Sequence, residues 1–462
     1  VRTPVTTPGR LLTQLLHAPS PPPAPWPRTR RLCSMPVTSR SRAQARAAAA
    51  DRQSRGPSHA RALRTHGAAR TVGLVATAVL AFGAVGGASA LSNIQGNITS
   101  SNIDGLLTDR PEQPDPTDPN AGKPLNILVM GSDERGGENG HEVEGVEGMR
   151  SDTTILVHVS ADRSRVEMVS IPRDSRVDVP ACNTTSGRTT APANTRFNAA
   201  FANGATVGGD VDSAAACTIT TVESLTDVFV DGFVVVDFAG FQNMVTAIGG
   251  VPICIPEAID SPKADLRLDA GMQTLDGAQA LGFARARYGV GDGSDLSRIG
   301  RQQQLLAATV NQVLSKNVLS DLGQIYGFVD AGTKSLTMSD NLSSIPSLAG
   351  LAFSLKGATS GNITFMTVPN APDPQDPDAK VVWTSEADEL WAKVRADEPI
   401  VAPAPAADGT AGGSGAAVEA TEPPSPSGAD APTDASSEPA PVQTKEAGKE
   451  AFSAADETAQ CG

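Results

Sequence analysis

Apolar residues in the middle of this chain gather into short unbroken runs separated by stretches of helical period. LNILVMG at 125–131 is apolar on both faces and predicts a buried strand. TTILVHVS at 153–160 and VEMVSIP at 166–172, joined by the turn ADRS, predict a hairpin. FVVVDF at 233–238, VPICIP at 251–256 and ITFMTVP at 363–369 predict three further strands. Between these runs the period lengthens, and helices are predicted over 210–226, 239–248, 276–284, 296–319, 343–355 and 385–395. Gly249-Gly250 stops the second of them. In the fourth, Leu305, Leu306, Val310, Val313 and Leu314 form the core side. Segments 134–148 and 181–196 read as loops. Buried strands alternating with helices imply an α/β fold whose sheet is covered on both faces.

The two ends break this pattern. Residues 1–70 hold thirteen Arg, no Lys and one acid, Asp51, and predict a disordered basic arm. Residues 398–462 are Ala, Pro, Ser, Gly and acid, and predict a disordered acidic tail. TVGLVATAVLAFGAVGGASAL at 71–91 carries no charge over about the length that crosses a bilayer. Arg61, Arg64 and Arg70 precede it and no basic cluster follows, so the reading is a single-pass anchor in the cell membrane, N-terminus cytoplasmic and bulk outside. Ala88-Ser89-Ala90 keeps a cleaved signal peptide as the alternative. Translation is expected to begin at Met35. Residues 92–124 read as a stalk and Pro-rich linker, leaving 125–397 as the folded domain.

The net charge of −14 and pI near 4.9 argue against nucleic acid as the main partner. Of five cysteines, Cys182, Cys217 and Cys254 lie in the expected extracytoplasmic domain, where disulfides form. Cys182 and Cys217 flank one irregular segment and are the expected pair.

Candidate chemistry centres on FARARYGVGDGSDLSRIGRQQQ at 283–304. Arg285, Arg287, Arg298 and Arg301 repel one another unless a multivalent anion sits between them, and guanidinium forks match phosphate oxygens two at a time. Arg298, Arg301 and Gln302 share one side of the predicted helix, whose cap is Ser294 or Asp295. An exposed Arg-rich helix face would account for this stretch alone. Strand ends add more: Asp133 follows the first strand, Arg150 and Asp152 precede the second, and Arg173 follows the third. Carboxylates with substrate phosphates are the usual way to hold magnesium. A turn or capping role would explain any one of these residues; their joint placement is harder to explain that way. No Ser-His-Asp or Cys-His arrangement and no GK[ST] phosphate loop is readable, and His158 alternates inside a strand as a structural residue would.

These residues sit in motifs that resemble the LytR-CpsA-Psr family of bacterial envelope proteins. The motifs are ILVMGSDERG at 127–136, MRSDTTILVHVS at 149–160, VSIPRDSRVDVP at 169–180, FNAAFANG at 197–204, DGFVVVDFAGFQNMVTAIGGVPICIP at 231–256, LDGAQALGFARAR at 275–287 and DLSRIGRQQQLL at 295–306. The resemblance implies a three-layer α/β/α sandwich around a mixed sheet, with a hydrophobic channel for lipid. It implies a phosphotransferase that moves a glycopolymer from a polyprenyl-pyrophosphate carrier to peptidoglycan in cell wall assembly. By the same resemblance Asp133 and Asp152 match magnesium ligands, and Arg150, Arg173, Arg285, Arg287 and Arg298 surround the pyrophosphate. Asp295 and Gln302 match its remaining polar positions, and Arg301 the adjoining, lower-ranked one. Asp152, Arg173, Asp295 and Arg298 are the expected catalytic set. Arg196 stands where a Lys is usual and is kept as a pyrophosphate contact. Two other readings stay open: a lipid-pyrophosphate-binding envelope regulator without catalysis, and a hydrolase of the lipid pyrophosphate.

Overall fold

The computed structural model describes residues 59–113, 122–132, 149–315, 322–355, 357–401 and 445–456. Its centre is an eight-stranded mixed sheet within the second of two compact units, Gly83–Gly462. In chain order the sheet strands are β1 (Thr99–Ser101), β2 (Leu125–Ser132), β3 (Ser151–Val159), β4 (Val166–Ile171), β5 (Gly232–Asp237), β6 (Leu336–Ser339), β7 (Ile363–Thr367) and β8 (Phe452–Ser453). They lie in the order β1-β6-β5-β2-β3-β4-β7-β8. The pairs β1–β6, β5–β2 and β4–β7 are parallel and the remaining neighbours antiparallel. This register brings the end of β2, the start of β3 and the ends of β4 and β5 to one edge, since Ser132 faces both Ser151 and Asp237 and Ile171 faces Thr154.

The α-helices among the described residues are α1 (His59–Asn97), α2 (Ala199–Gly208), α3 (Val211–Thr226), α4 (Phe238–Ala247), α5 (Gly277–Arg285), α6 (Asp295–Leu314), α7 (Leu322–Lys334), α8 (Ile345–Ser354) and α9 (Ser385–Arg395). On one sheet face Leu128, Met130, Leu156, Val169 and Phe233 pack against Phe201 of α2, Ile219 and Val222 of α3, and Leu390 and Trp391 of α9. A separate apolar cluster joins α4, α5 and α6 to the hairpin of Val251–Ile255 with Gly271–Leu275. The alternation read from the sequence therefore holds, with one difference: strand 251–255 forms its own two-stranded sheet and does not enter the central one. α2, α7, β1 and β6 were not predicted, being short or Gly- and Ser-rich.

Three expected boundaries shift. Residues 92–113 are no free stalk: Ile94 and Ile103 are buried, β1 extends the sheet, and Arg110 donates at 2.7 Å to the buried Glu223. A few apolar residues in a polar stretch suffice to dock it. Part of the expected disordered tail is likewise ordered, since Ile400 is buried and 445–456 supplies β8. Residues 71–91 fall within α1, but among the described residues no helix is long and apolar enough to cross a membrane; the side chains of Val79 and Phe82, among others, lie outside the described residues. Met35 and most of the basic arm lie outside them too.

Cys182 and Cys217 form the expected disulfide, Cα–Cα 5.2 Å, across a sequence separation of 35. His158 is fully buried between Asn126 Oδ1 at 2.7 Å and Asp397 Oδ1 at 3.1 Å, the structural role expected of it. Closing a loop of this length restricts the unfolded chain. The paired Cys182→Ala, Cys217→Ala variant is expected to lose about 3–4 kcal/mol of stability, measured as a lowered midpoint in denaturant unfolding.

Candidate functional site

The strand ends at this edge face the N-terminal turns of α4 and α6. Asp237 caps α4 by accepting from the Gly240 amide at 2.6 Å, and Ser294 caps α6 by accepting from Ser297. Ser294, and not Asp295, is thus the cap, which leaves Asp295 in the first turn free to pair with arginines. Its Oδ1 lies 2.5 Å from Arg298, 3.0 Å from Arg287 and 3.2 Å from Arg173. Asp152 at the start of β3 pairs with Arg173, and its carbonyl accepts from Arg298 at 3.2 Å. Asp174 lies within ion-pair reach of Arg173, Arg196 and Arg287 at 3.3–3.8 Å. Four guanidiniums, Arg173, Arg196, Arg287 and Arg298, thus meet three carboxylates, Asp152, Asp174 and Asp295. With Asp237 and Arg285, which line the same cavity, five guanidiniums stand against four carboxylates, so positive charge is in surplus.

Burial and charge compete at each group. Burial alone would raise the Asp152 carboxyl, but Arg173, Arg298 and Arg287 together outweigh it and hold its pKa below the ordinary 3.8. Arg173 is held above its usual value, its burial outweighed by Asp152, Asp295 and Asp174. Arg298, only 3% exposed, is shifted down by burial and by neighbouring Arg173, against the pull of Asp295. The Nε atoms of Arg287 and Arg298 and Oδ2 of Asp295 are buried without hydrogen-bond partners, and Arg173 Nε meets Asp295 and Asp174 only in ion pairs of 3.2 and 3.4 Å. Leaving buried polar groups unsatisfied is costly; an oxyanion with several acceptor oxygens would satisfy the guanidinium donors, and a cation or a donated proton the Asp295 oxygen.

The cluster forms the polar end of a cavity of about 370 Å³ between the sheet and helices α4–α6. Asp152, Arg173, Arg285, Arg287, Arg298 and Gln302 line it, and Val129, Ile155, Phe241, Leu281, Leu305 and Leu306 form its apolar walls. The Arg285 guanidinium lies over the Phe238 ring, 4.7 Å from its centroid, a cation–π contact that holds this charge against the aromatic wall. Gln302 donates to the Ala284 carbonyl at 3.2 Å.

Most of the expected residues therefore converge. Arg196, 43% exposed, stands one ion pair outside the cavity. Arg150 is exposed and does not line the cavity, so its expected pyrophosphate contact has no geometric support. Arg301 is buried, donating to Ser297 Oγ at 2.9 Å and to the Ala286 carbonyl. Burial and Arg298 lower its pKa to about 10, and its role is to brace α6. Asp133 lies outside the described residues. Among the described residues no group of three or more His, Cys, Asp or Glu could hold a metal by themselves. Sequence reasoning missed Asp174, which directly follows Arg173, as well as Asp237 and the aromatic wall of Phe238 and Phe241.

A family model described as the LytR_cpsA_psr family matches residues 91–396. Cell wall biosynthesis protein LcpA of Corynebacterium glutamicum is 31% identical over 261 residues, 53% of this chain and 49% of that protein. A polyisoprenyl-teichoic acid–peptidoglycan teichoic acid transferase, TagU of Oceanobacillus iheyensis, is 33% identical over 201 residues, 44% of this chain and 55% of that protein. This chain spans about half the length of the curated relatives it matches. The solved structure of a LytR-Csp2A-Psr enzyme from Actinomyces oris aligns with 64% of this chain and 95% of its own, at 21% identity and a TM-score of 0.45.

Because its folded pKa is depressed, ionised Asp152 contributes stability that is complete above its unfolded pKa and lost as pH falls through the folded value. Arg173→Gln removes the largest of the opposing charges. Its expected effect is a rise in the Asp152 pKa, followed by NMR titration of the carboxyl carbon; an unchanged titration would show that Arg173 does not set it.

Proposed function

This chain belongs to the LytR-CpsA-Psr family, and from that premise we propose that it is a phosphotransferase attaching a glycopolymer from a polyprenyl-pyrophosphate carrier to peptidoglycan. The observation that carries the reading is one cavity with an apolar body and an Arg-rich end. That shape suits a lipid chain joined to a pyrophosphate, and few other metabolites combine the two. An acceptor hydroxyl oxygen attacks the glycan-side phosphorus. The new O–P bond forms as the bridging P–O bond breaks, and polyprenyl phosphate leaves. The hydroxyl proton passes to a carboxylate. Asp152 is the more accessible of the two candidates, 38% exposed against 14% for Asp295, and so the one an incoming acceptor reaches. Asp295 holds Arg173, Arg287 and Arg298 in place. These guanidiniums are set where charge grows on the leaving oxygens, so they need little rearrangement during the reaction.

Magnesium fits the donor set, which offers the partly exposed Asp152 and the unpartnered Asp295 Oδ2 beside the place proposed for the phosphates. Asp152, with Asp133, would hold it, and it would supply Lewis-acid neutralisation of phosphoryl oxygens. The proposed setting is the outer side of the cell membrane, with α1 as anchor and no nucleic-acid partner.

The test is a transfer assay on the full chain with a synthetic polyprenyl-pyrophosphate glycan, magnesium and peptidoglycan fragments. Glycan is expected on the fragments. Arg173→Ala and Asp152→Ala should each lower the rate at least about 100-fold, and chelation should abolish it until magnesium is restored. Free phosphorylated glycan released in the presence of acceptor would assign hydrolysis instead. Tight lipid binding without turnover would favour the envelope regulator.

A further inference from the structure

Helix α6 carries Asp295, Arg298, Arg301 and Gln302, and its outer side is covered by a distant part of the sequence. Segment 445–456 runs along it. Near the start of α6, the Gly448 backbone sits against Leu296 and Gly300, and a Cβ on Gly300 would run into the Ala447 carbonyl. Gly448 itself has φ +89, a conformation that favours glycine. Farther along, Asn311 Nδ2 donates to the Ala454 carbonyl at 2.7 Å. Phe452 is 1% exposed and stacks on Phe365 of β7 at 5.2 Å, while β8 pairs with the edge of β7. An ion pair of 2.8 Å between Lys445 and Asp456 closes the segment on itself.

One side chain ties this segment to the site. Gln303 is fully buried on α6. Its Nε2 donates to Ser170 Oγ of β4 at 3.0 Å and to Thr367 Oγ1 of β7 at 3.1 Å, and its Oε1 accepts from the Gly448 amide at 2.9 Å. The same amide group thus fixes α6 to the two strands beside Arg173 and to the C-terminal segment. Without Gly448 the Gln303 oxygen would be buried and unsatisfied.

We propose that the edge of β7 and the outer side of α6 form a strand-receptor site for this chain's own segment 445–456, and that docking of this segment positions Arg298 and Asp295 for the reaction. Main-chain pairing supplies the attachment and the Phe452 pocket the selectivity, as in other strand additions. Covalent linkage makes the docking intramolecular, so modest contacts hold it closed. Gly300 fits this role. A glycine inside a helix is unfavourable, and here it leaves room for the segment's backbone.

The positioning role rests on the transferase reading; the docking does not. The experiment compares the full chain with Gly300→Ala and Phe452→Asp by amide hydrogen exchange, by binding of a synthetic 445–456 peptide, and by transfer rate. In both variants α6 amides are expected to exchange at least about tenfold faster while α3 is unchanged. The transfer kcat should fall about tenfold, with a smaller change in KM for the donor. Added peptide should bind Phe452→Asp and restore slow exchange and turnover together. If α6 exchange stays at the parent level in Gly300→Ala, or the peptide does not bind Phe452→Asp, the proposal is overturned, whatever the transfer rates. If Phe452→Asp speeds exchange throughout the sheet, Gly300→Ala decides. Normal exchange behaviour with no turnover in any chain would count against the transferase reading and leave the docking standing.

Discussion

The site depends on Asp295. One carboxylate oxygen receives Arg298 from its own helix, Arg287 from the preceding loop and Arg173 from a strand end. Without it, like charges would be driven together in a poorly solvated place, at a cost of several kcal/mol per uncompensated ion. With it the arginines can be close and still incompletely neutralised. That residual positive charge, together with the unpartnered Nε atoms, gives the pocket its preference for a polyanion.

Much of the scaffold could be read from hydrophobic pattern. The runs at 125–131, 153–160 and 166–172 are strands because both sheet faces are covered, so alternation is lost and continuous apolarity takes its place. The same pattern could not tell that 251–255 leaves the central sheet, since an apolar run marks burial and not the partner strand. At the site, Arg173, Arg298 and Asp152 were legible because they stand at the ends of such runs. Asp174 was not, although it adjoins Arg173: a lone Asp after a strand reads first as a turn residue, and only the fold brings Arg196 and Arg287 to it. Arg301 and Arg298 are equivalent by spacing. What separates them is the Ala286 carbonyl that captures Arg301, a long-range contact that spacing does not record.

The ends of the folded part were misjudged for one physical reason. Composition measures whether a segment can make a core of its own, whereas 92–113 and 445–456 borrow one. Ile103 and Phe452 each enter apolar surface that the rest of the chain has already built. Two polar stretches with low average hydrophobicity therefore become the outer strands β1 and β8, at opposite edges of the sheet. The edge strands are then only three and two residues long, which leaves little template for pairing with other chains.

Among the described residues, ion pairs among Arg173, Asp152, Asp174, Arg287, Asp295 and Arg298 close the polar end of the cavity, while its body is walled by apolar side chains of the sheet and of helices α4–α6. The two parts of one cavity are thus held by different forces, burial of apolar surface along its body and ion pairing at its end; a change of pH acts on the second and leaves the first in place.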